Sequence, residues 1–385
     1  MDIPEEQRQM EYLYDFLKQG NLIYIASSGY GKSVFLGNII LGLSVKNQVK
    51  NINMYIIDFG NSALIPYRVL PHVADYMTIV DSDKLSKFMT FVLDEMKDRK
   101  QKLASHMAQN FEVYNQGSQE KLKAIMIMID NFDVVKEIGY DMEAFFLKVS
   151  RDGSGLGIYL LMTATRANAV KYAIMNNFKV KIAGFNFEES ETRSVIGRSD
   201  YELPEIKGRA LIKLENVNIV QIYTPVEFEN DIDYGNQIRK LIAEIAERSK
   251  EEKAMGIPVL PEILKYQAFP EYPGYRSDPR LAPIGIDVTG LLVQYVDLNE
   301  PLQLIIGGSQ TGKTNVLRNV MHHIKGAQIF LIDSKTLELS PYRMWDNVIY
   351  SDSKAVVKKN INQLKTLLKE RKNAYLVAKE KDPMK

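Results

Sequence analysis

Residues 26–33 read Ala26-Ser27-Ser28-Gly29-Tyr30-Gly31-Lys32-Ser33. An apolar run, Leu22–Ile25, precedes them, and an apolar segment, Val34–Ile40, follows. A buried strand, a glycine-rich turn and a helix in this order are the setting of a phosphate-binding loop. The backbone N–H groups of such a loop point at one anion, and the positive end of the following helix adds to the attraction. The stretch therefore predicts an α/β fold with a nucleotide site at this turn.

The same loop carries side chains suited to ATP and Mg²⁺. Lys32 adds a positive charge, and Ser33 offers a hydroxyl ligand to Mg²⁺. One position departs from the pattern G-x-x-x-x-G-K-[S/T], because Ala26 replaces the first glycine. A methyl group is a small change, so we expect all eight residues to form the nucleotide site. The alternative is an ordinary glycine turn between a strand and a helix.

A second loop of the same kind lies near the C-terminal end. It reads Gly307-Gly308-Ser309-Gln310-Thr311-Gly312-Lys313-Thr314, which matches the pattern at every position. An apolar run, Leu302–Ile306, precedes it and predicts a strand, and a predicted helix follows. We expect these eight residues to bind a second nucleotide, with Thr314 as the Mg²⁺ ligand.

Three marks recur in the same order after each loop. They are Asp58 and Asp333, then Pro66-Tyr67-Arg68 and Pro341-Tyr342-Arg343, then Asp98-Arg99-Lys100 and Glu370-Arg371-Lys372. A shared order of three marks predicts two copies of one nucleotide-binding fold in tandem.

Apolar runs and amphipathic stretches alternate in the first copy, which predicts a mostly parallel sheet flanked by helices. The predicted strands are 52–58, 124–129 and 158–163, and the predicted helices are 5–18, 83–108 and 140–151. We expect a first domain at 1–233, an exposed helix and proline-rich connecting segment at 234–283, and a partial second copy at 284–385. That copy has no counterpart of Asp130 before Lys385, so we interpret the chain as an expressed fragment.

Composition limits the kinds of site that the chain can carry. The 385 residues are 45% hydrophobic and 25% charged, as in soluble globular proteins. The net charge of +1 creates no overall field that favours nucleic acid. Cysteine is absent, which excludes disulfides and thiolate metal ligands, and the four histidines do not form a zinc-binding spacing. No apolar run of about 18 residues predicts a membrane span.

Asp130 ends the apolar strand that follows the first loop by about a hundred residues. A carboxylate there is expected to hold Mg²⁺, directly or through water, although it could instead cap the next helix. ATPases of this kind usually carry an adjacent glutamate that activates the attacking water, but here the next residue is Asn131. Because loss of a positioned base costs roughly 10²–10⁴-fold, we expect ATP binding with slow or no hydrolysis.

Arg166 lies at the end of the next predicted strand, in Thr163-Ala164-Thr165-Arg166. With Asp130 it completes the predicted catalytic residues, because an arginine there could reach the phosphate of a neighbouring subunit. The alternative is an exposed loop arginine.

The combination resembles the FtsK/SpoIIIE group of P-loop motor ATPases. The resemblance is carried by the loop at 26–33, the strand Ile125–Asp130, and the segment Arg151–Ile158 leading into 163–166. DNA translocases of this group usually have T-Q-R-P in the last segment, where Thr165 and Ala167 replace Gln and Pro. The tandem order and segment Ile196–Ala210 make the chain similar to the secretion branch, the EssC/EccC ATPases of type VII secretion.

That resemblance implies RecA-like P-loop domains, of which this chain holds the second and part of the third. It implies membrane helices and a first ATPase domain before Met1, on the cytoplasmic side of the cell membrane. It also implies small helical WXG-type substrates, other components of the secretion machine as partners, and a hexamer when active, although the fragment could be monomeric. Downstream domains of this family are commonly degenerate, which fits Ala26 and Asn131.

Three functions follow from these features. The first is an ATP-binding, weakly hydrolysing module of a type VII secretion ATPase. The second is a DNA translocase, which the net charge and the lack of a winged-helix reader in the sequence disfavour. The third is a non-catalytic scaffold, which the intact loop 307–314 disfavours.

Overall fold

The computed structural model describes residues 1–3, 8–248, 252–288, 290–324, 326–333 and 337–381. The chain divides into two units, residues 1–257 and 258–385. The boundary falls inside the segment 234–283 that the sequence indicated as a connection.

None of the described helices is long and apolar enough to cross a membrane. The described residues contain no cluster of three or more histidine, aspartate or glutamate side chains suited to a metal ion.

The first unit is built around one ten-stranded sheet. Its strands are β1 Asp2–Ile3, β2 Arg8–Gln9, β3 Leu22–Ile25, β4 Ile52–Asp58, β5 Val73–Thr78, β6 Ala124–Asp130, β7 Ile158–Ala164, β8 Val180–Gly184, β9 Arg209–Lys213 and β10 Val217–Gln221. Its helices are α1 Phe16–Gln19, α2 Lys32–Lys46, α3 Ser82–Ser105, α4 Phe111–Gly117, α5 Val135–Ile138, α6 Tyr140–Asp152, α7 Tyr172–Met175, α8 Glu189–Ile196 and α9 Asp231–Arg248.

The strand order is β2-β1-β10-β9-β8-β3-β7-β6-β4-β5. The six strands from β8 to β5 pair in parallel, and an antiparallel group from β9 to β2 extends the sheet. Strands β3, β6 and β7 are buried at every position, as strands covered on both faces should be. This confirms the predicted mostly parallel α/β fold. The parallel order also brings the ends of β3, β6 and β7 to one edge of the sheet.

Two predictions for helices of this unit were wrong. Residues 8–9 pair with 2–3 as an edge hairpin, so the helix predicted for 5–18 is reduced to α1; residues 4–7 lie outside the described part. The helix predicted to be exposed after residue 233 buries Ile238, Ile242 and Ile245 in the core. Its apolar residues recur at helical spacing and form a packing face.

The described residues of the second unit form two small sheets and two α-helices. They are the antiparallel pair β11 Leu281–Ile286 and β12 Val293–Asp297, the helix α10 Lys313–His323, the parallel pair β13 Ile329–Ile332 and β14 Val348–Ser351, and the helix α11 Lys354–Lys381. Leu302–Ile306 form no strand, which corrects the prediction, and the side chains of Leu302, Leu304 and Ile306 are exposed. In the first unit β3 pairs with β7 and β8, and no described strand of the second unit occupies those places.

Asp58, which ends β4, and Asp333, which follows β13, have matching surroundings. Asp58 accepts hydrogen bonds from the Leu64 N–H (3.2 Å) and the Tyr76 hydroxyl (3.1 Å). Asp333 accepts hydrogen bonds from the Leu339 N–H (3.0 Å) and from the Tyr350 hydroxyl (2.8 Å). Both carboxylates are buried and fix the loop that follows their strand.

Candidate nucleotide-binding site

The first loop leaves β3 and enters α2 through two glycines in left-handed conformation. Gly29 has φ of +87° and Gly31 has φ of +90°, a region that side-chain-bearing residues rarely adopt. Gly31 is the N-cap of α2, which begins at Lys32. The helix therefore directs its unpaired N–H groups and its positive end at the loop, the arrangement that binds phosphate.

Ala26 is accommodated by a glycine in the adjacent strand. It is fully buried, and its N–H donates to the Ala164 carbonyl (3.2 Å). A Cβ placed on Gly184, the last residue of β8, would come within 2.8 Å of the Ala26 methyl group. The methyl therefore occupies space left by Gly184. No local sequence pattern points to Gly184, because only the pairing of β3 with β8 places the two residues together.

The Lys32 ammonium folds back over the loop. It donates to the backbone carbonyls of Ala26 (2.7 Å) and Ser27 (3.0 Å). Burial lowers the pKa of Lys32, and the charges of Asp130 and Asp133 oppose that shift. Neutral carbonyl oxygens therefore hold the ammonium at the loop. Phosphate oxygens would take their place as acceptors and form stronger, charge-assisted hydrogen bonds.

Ser33 and Asp130 are brought into direct contact. The Ser33 hydroxyl donates to one Asp130 oxygen (2.7 Å), and the Thr163 hydroxyl donates to the other (2.5 Å). Burial raises the pKa of Asp130, and the two hydroxyl donors oppose this effect. A carboxylate and a hydroxyl at one point are hard oxygen ligands, so the donor set fits Mg²⁺.

Asn131 directly follows Asp130, at the position where a general base would be expected. It has φ of +61°, and its N–H donates to the Thr163 hydroxyl (3.0 Å). Its side-chain amide donates to the Phe59 carbonyl (3.4 Å). A carboxamide held in this way cannot accept a proton from water, so the site has no base at this position.

Arg166 lies on the surface at the end of β7. Its side chain is exposed and forms no ion pair with the described residues. Asp133 accepts hydrogen bonds from the N–H groups of Thr165 (2.7 Å) and Arg166 (3.3 Å), which fixes the backbone of this turn. The Asp133 carboxylate is therefore occupied by hydrogen bonds to this turn. The Arg166 side chain does not contact Lys32, Ser33 or Asp130.

Segment Leu203–Ala210 lies against the first loop. The Tyr30 hydroxyl donates to a Glu205 carboxylate oxygen (2.5 Å), and this bond raises the pKa of Tyr30. A Cβ on Gly31 would lie 3.6 Å from the backbone of Gly208. The segment that carried part of the family resemblance thus contacts the loop directly.

The second loop has the same turn with fewer partners. Gly312 has φ of +89° and is the N-cap of α10. The Lys313 ammonium and the Thr311 hydroxyl both donate to the Gly308 carbonyl. No carboxylate among the described residues bonds to Thr314, so the structure shows no counterpart of the Ser33–Asp130 contact there.

Comparison with known proteins identifies the family. The sequence profile of the FtsK/SpoIIIE family matches residues 1–183. The ESX secretion system protein EccC of Geobacillus thermodenitrificans is 36% identical over 383 residues, and YukB of Bacillus subtilis is 34% identical. Each alignment covers 98% of this chain and 26% of the relative. The chain thus spans about a quarter of the length of these curated relatives.

A solved structure agrees over both units. It is described as EssC (ATPases 2 and 3) from Geobacillus thermodenitrificans, and it has a TM-score of 0.91 and 35% sequence identity to this chain. The match covers 97% of this chain and 73% of that one. The fold is therefore that of tandem RecA-like P-loop ATPase domains. The chain belongs to the FtsK/SpoIIIE family, within the type VII secretion ATPases called EccC and EssC.

Proposed function

We propose that the first unit binds ATP with Mg²⁺ at residues 26–33. The observation that carries this proposal is the convergence of Lys32, Ser33 and Asp130 at one edge of the sheet. Lys32 and the N–H groups of the loop would bind the phosphates, and Ser33 and Asp130 would hold Mg²⁺. Mg²⁺ would supply charge neutralisation at the phosphates.

We further propose that hydrolysis at this site is slow. Asn131 cannot take a proton, and Asp133 is bonded to the backbone of residues 165 and 166. Arg166, which is exposed, is available to a neighbouring subunit's phosphate in a hexamer.

The second loop would bind a second nucleotide through residues 307–314, with Lys313 at the phosphates and Thr314 at Mg²⁺.

On the scale of the machine, we propose a module that couples nucleotide and substrate binding to export of small helical WXG-type proteins. The chain would supply the second ATPase domain and part of the third, on the cytoplasmic side of the membrane. Support comes from the family and from the EssC structure over both units.

Replacing Lys32 by Ala tests nucleotide binding at the first loop. We expect affinity for Mg-ATP at this loop to fall about 10- to 100-fold, because bonds to a charged group contribute about 1.5–3 kcal/mol. The measurement is calorimetric titration in a Lys313→Ala background, which isolates the first loop. Lys46→Ala, an exposed lysine in the last turn of the same helix, is the matched control. Unchanged binding in Lys32→Ala would refute the site, provided that both variants unfold at the wild-type temperature.

A further inference from the structure

Three aromatic rings form a cluster beside the first loop. The ring centroids of Tyr30 and Phe185 lie 4.8 Å apart, and those of Phe185 and Phe187 lie 5.4 Å apart. Phe187 meets Tyr30 at an interplanar angle of 80° and Phe185 at 83°. Phe187 is nevertheless 76% exposed, so most of its ring is open to solvent. Because its neighbours contact this ring edge-on, its exposed surface can stack against another flat group.

The cluster is fixed to the loop by hydrogen bonds. The Ser27 N–H donates to the Phe185 carbonyl (2.9 Å), so the chain after β8 runs beside the loop. Tyr30 belongs to the loop itself, and its hydroxyl is bonded to Glu205. The rings of Tyr30 and Phe185 therefore keep their place relative to the phosphate-binding backbone, and they hold Phe187 with them.

The sheet order indicates which end of a nucleotide would reach this cluster. Asp130, the carboxylate suited to Mg²⁺, ends β6, and the aromatic residues 185–187 follow β8. Strands β8 and β6 lie on opposite sides of β3, three strand spacings or roughly 14 Å apart. A triphosphate that lies along this edge with its metal-bound phosphates at Asp130 extends its nucleoside the other way, towards residues 185–187.

We propose that Tyr30, Phe185 and Phe187 form a platform for the base of the nucleotide at the first loop. Phe187 is the ring on which the base stacks, and the other two hold it in position. The inference rests on the proposed binding of ATP at residues 26–33. Because every base has a π-face, stacking of this kind adds affinity with little discrimination between bases.

The test compares a ligand that has a base with one that lacks it. Mg-ATP and magnesium tripolyphosphate are titrated into the full chain carrying Lys313→Ala, with and without Phe187→Ala. We expect Phe187→Ala to weaken ATP binding about tenfold, because a stacked base contributes that order of affinity, and to leave tripolyphosphate binding unchanged. Tyr172→Ala removes another aromatic ring of the same unit, 80% exposed and outside the cluster, and should change neither ligand.

The outcomes separate the platform from the phosphate site. Unchanged ATP binding in Phe187→Ala would overturn the platform and leave the proposed function intact. An equal loss for both ligands would also overturn it, because Phe187 would then act on the loop and not on a base. If the Lys313→Ala chain binds neither ligand, the proposed function itself fails, and the platform fails with it.

Discussion

At the scale of single residues, the first site departs from the expected ATP-hydrolysing pattern at two positions, Ala26 and Asn131, and the structure compensates only the first. Ala26 is matched by Gly184, so the altered loop position is compensated within the sheet. Asn131 has no such compensation. Its amide is bonded to the Phe59 carbonyl, and the nearby Asp133 is bonded to the turn at 165–166. The two departures therefore predict retained binding and impaired hydrolysis.

Restoring a carboxylate at position 131 tests this separation. We expect Asn131→Glu to raise the rate of phosphate release about 10²-fold or more, because a positioned general base contributes about 10²–10⁴-fold. Asn131→Gln has a similar size and no basic group, and it is the matched control. A rate in Asn131→Glu no higher than in Asn131→Gln would show that the missing base is not what limits hydrolysis.

At the scale of secondary-structure elements, local patterns predicted the site better than its surroundings. The strand, loop and helix around residues 26–33 and the acidic end of β6 are local signals, and the structure has all of them. The N-terminal hairpin was missed because β1 pairs with β10, more than two hundred residues away. The aromatic residues 185 and 187 were missed for the same reason, since only the sheet order brings them to the loop.

The strand predicted at Leu302–Ile306 shows that a local apolar pattern can also predict a strand that does not form. An apolar run forms a strand only where a neighbouring strand accepts its backbone bonds. In the first unit β7 and β8 supply those bonds to β3. The described part of the second unit has no strand at the corresponding places, so the same kind of sequence stays unpaired.

Helix α9 provides the prediction at this scale. Ile242 is buried in the core of the first unit, whereas Ile232 near the start of the same helix is 78% exposed. We expect Ile242→Ala to lower the free energy of unfolding by about 2–5 kcal/mol, through lost burial and a residual cavity. Ile232→Ala should change it by no more than about 0.5 kcal/mol.

Urea unfolding of the full chain measures both variants. Equal effects of the two substitutions would mean that α9 does not pack on the sheet as the structure shows. The comparison also bears on the domain boundary, because a packed α9 belongs with the first unit and a detached one would belong to a connecting segment.

At the scale of the whole molecule, two loops of one pattern are embedded in unequal surroundings. The first has a carboxylate at the end of β6 that accepts a hydrogen bond from Ser33, and it lies in the ten-stranded sheet. The second repeats the turn and the carboxylate environment of Asp333, but no described carboxylate reaches Thr314. We therefore expect the first loop to bind nucleotide in this chain and the second loop to bind it more weakly.

A calorimetric titration of Mg-ATP into the wild type and into Lys313→Ala tests that assignment most directly. The account predicts that Lys313→Ala still binds one ATP per chain, because its first loop keeps Lys32, Ser33 and Asp130 together. A wild-type stoichiometry near two would show that the second loop binds as well. A wild type that binds one ATP and a Lys313→Ala chain that binds none would contradict the account, because the first loop would then be a structural element and not a nucleotide site.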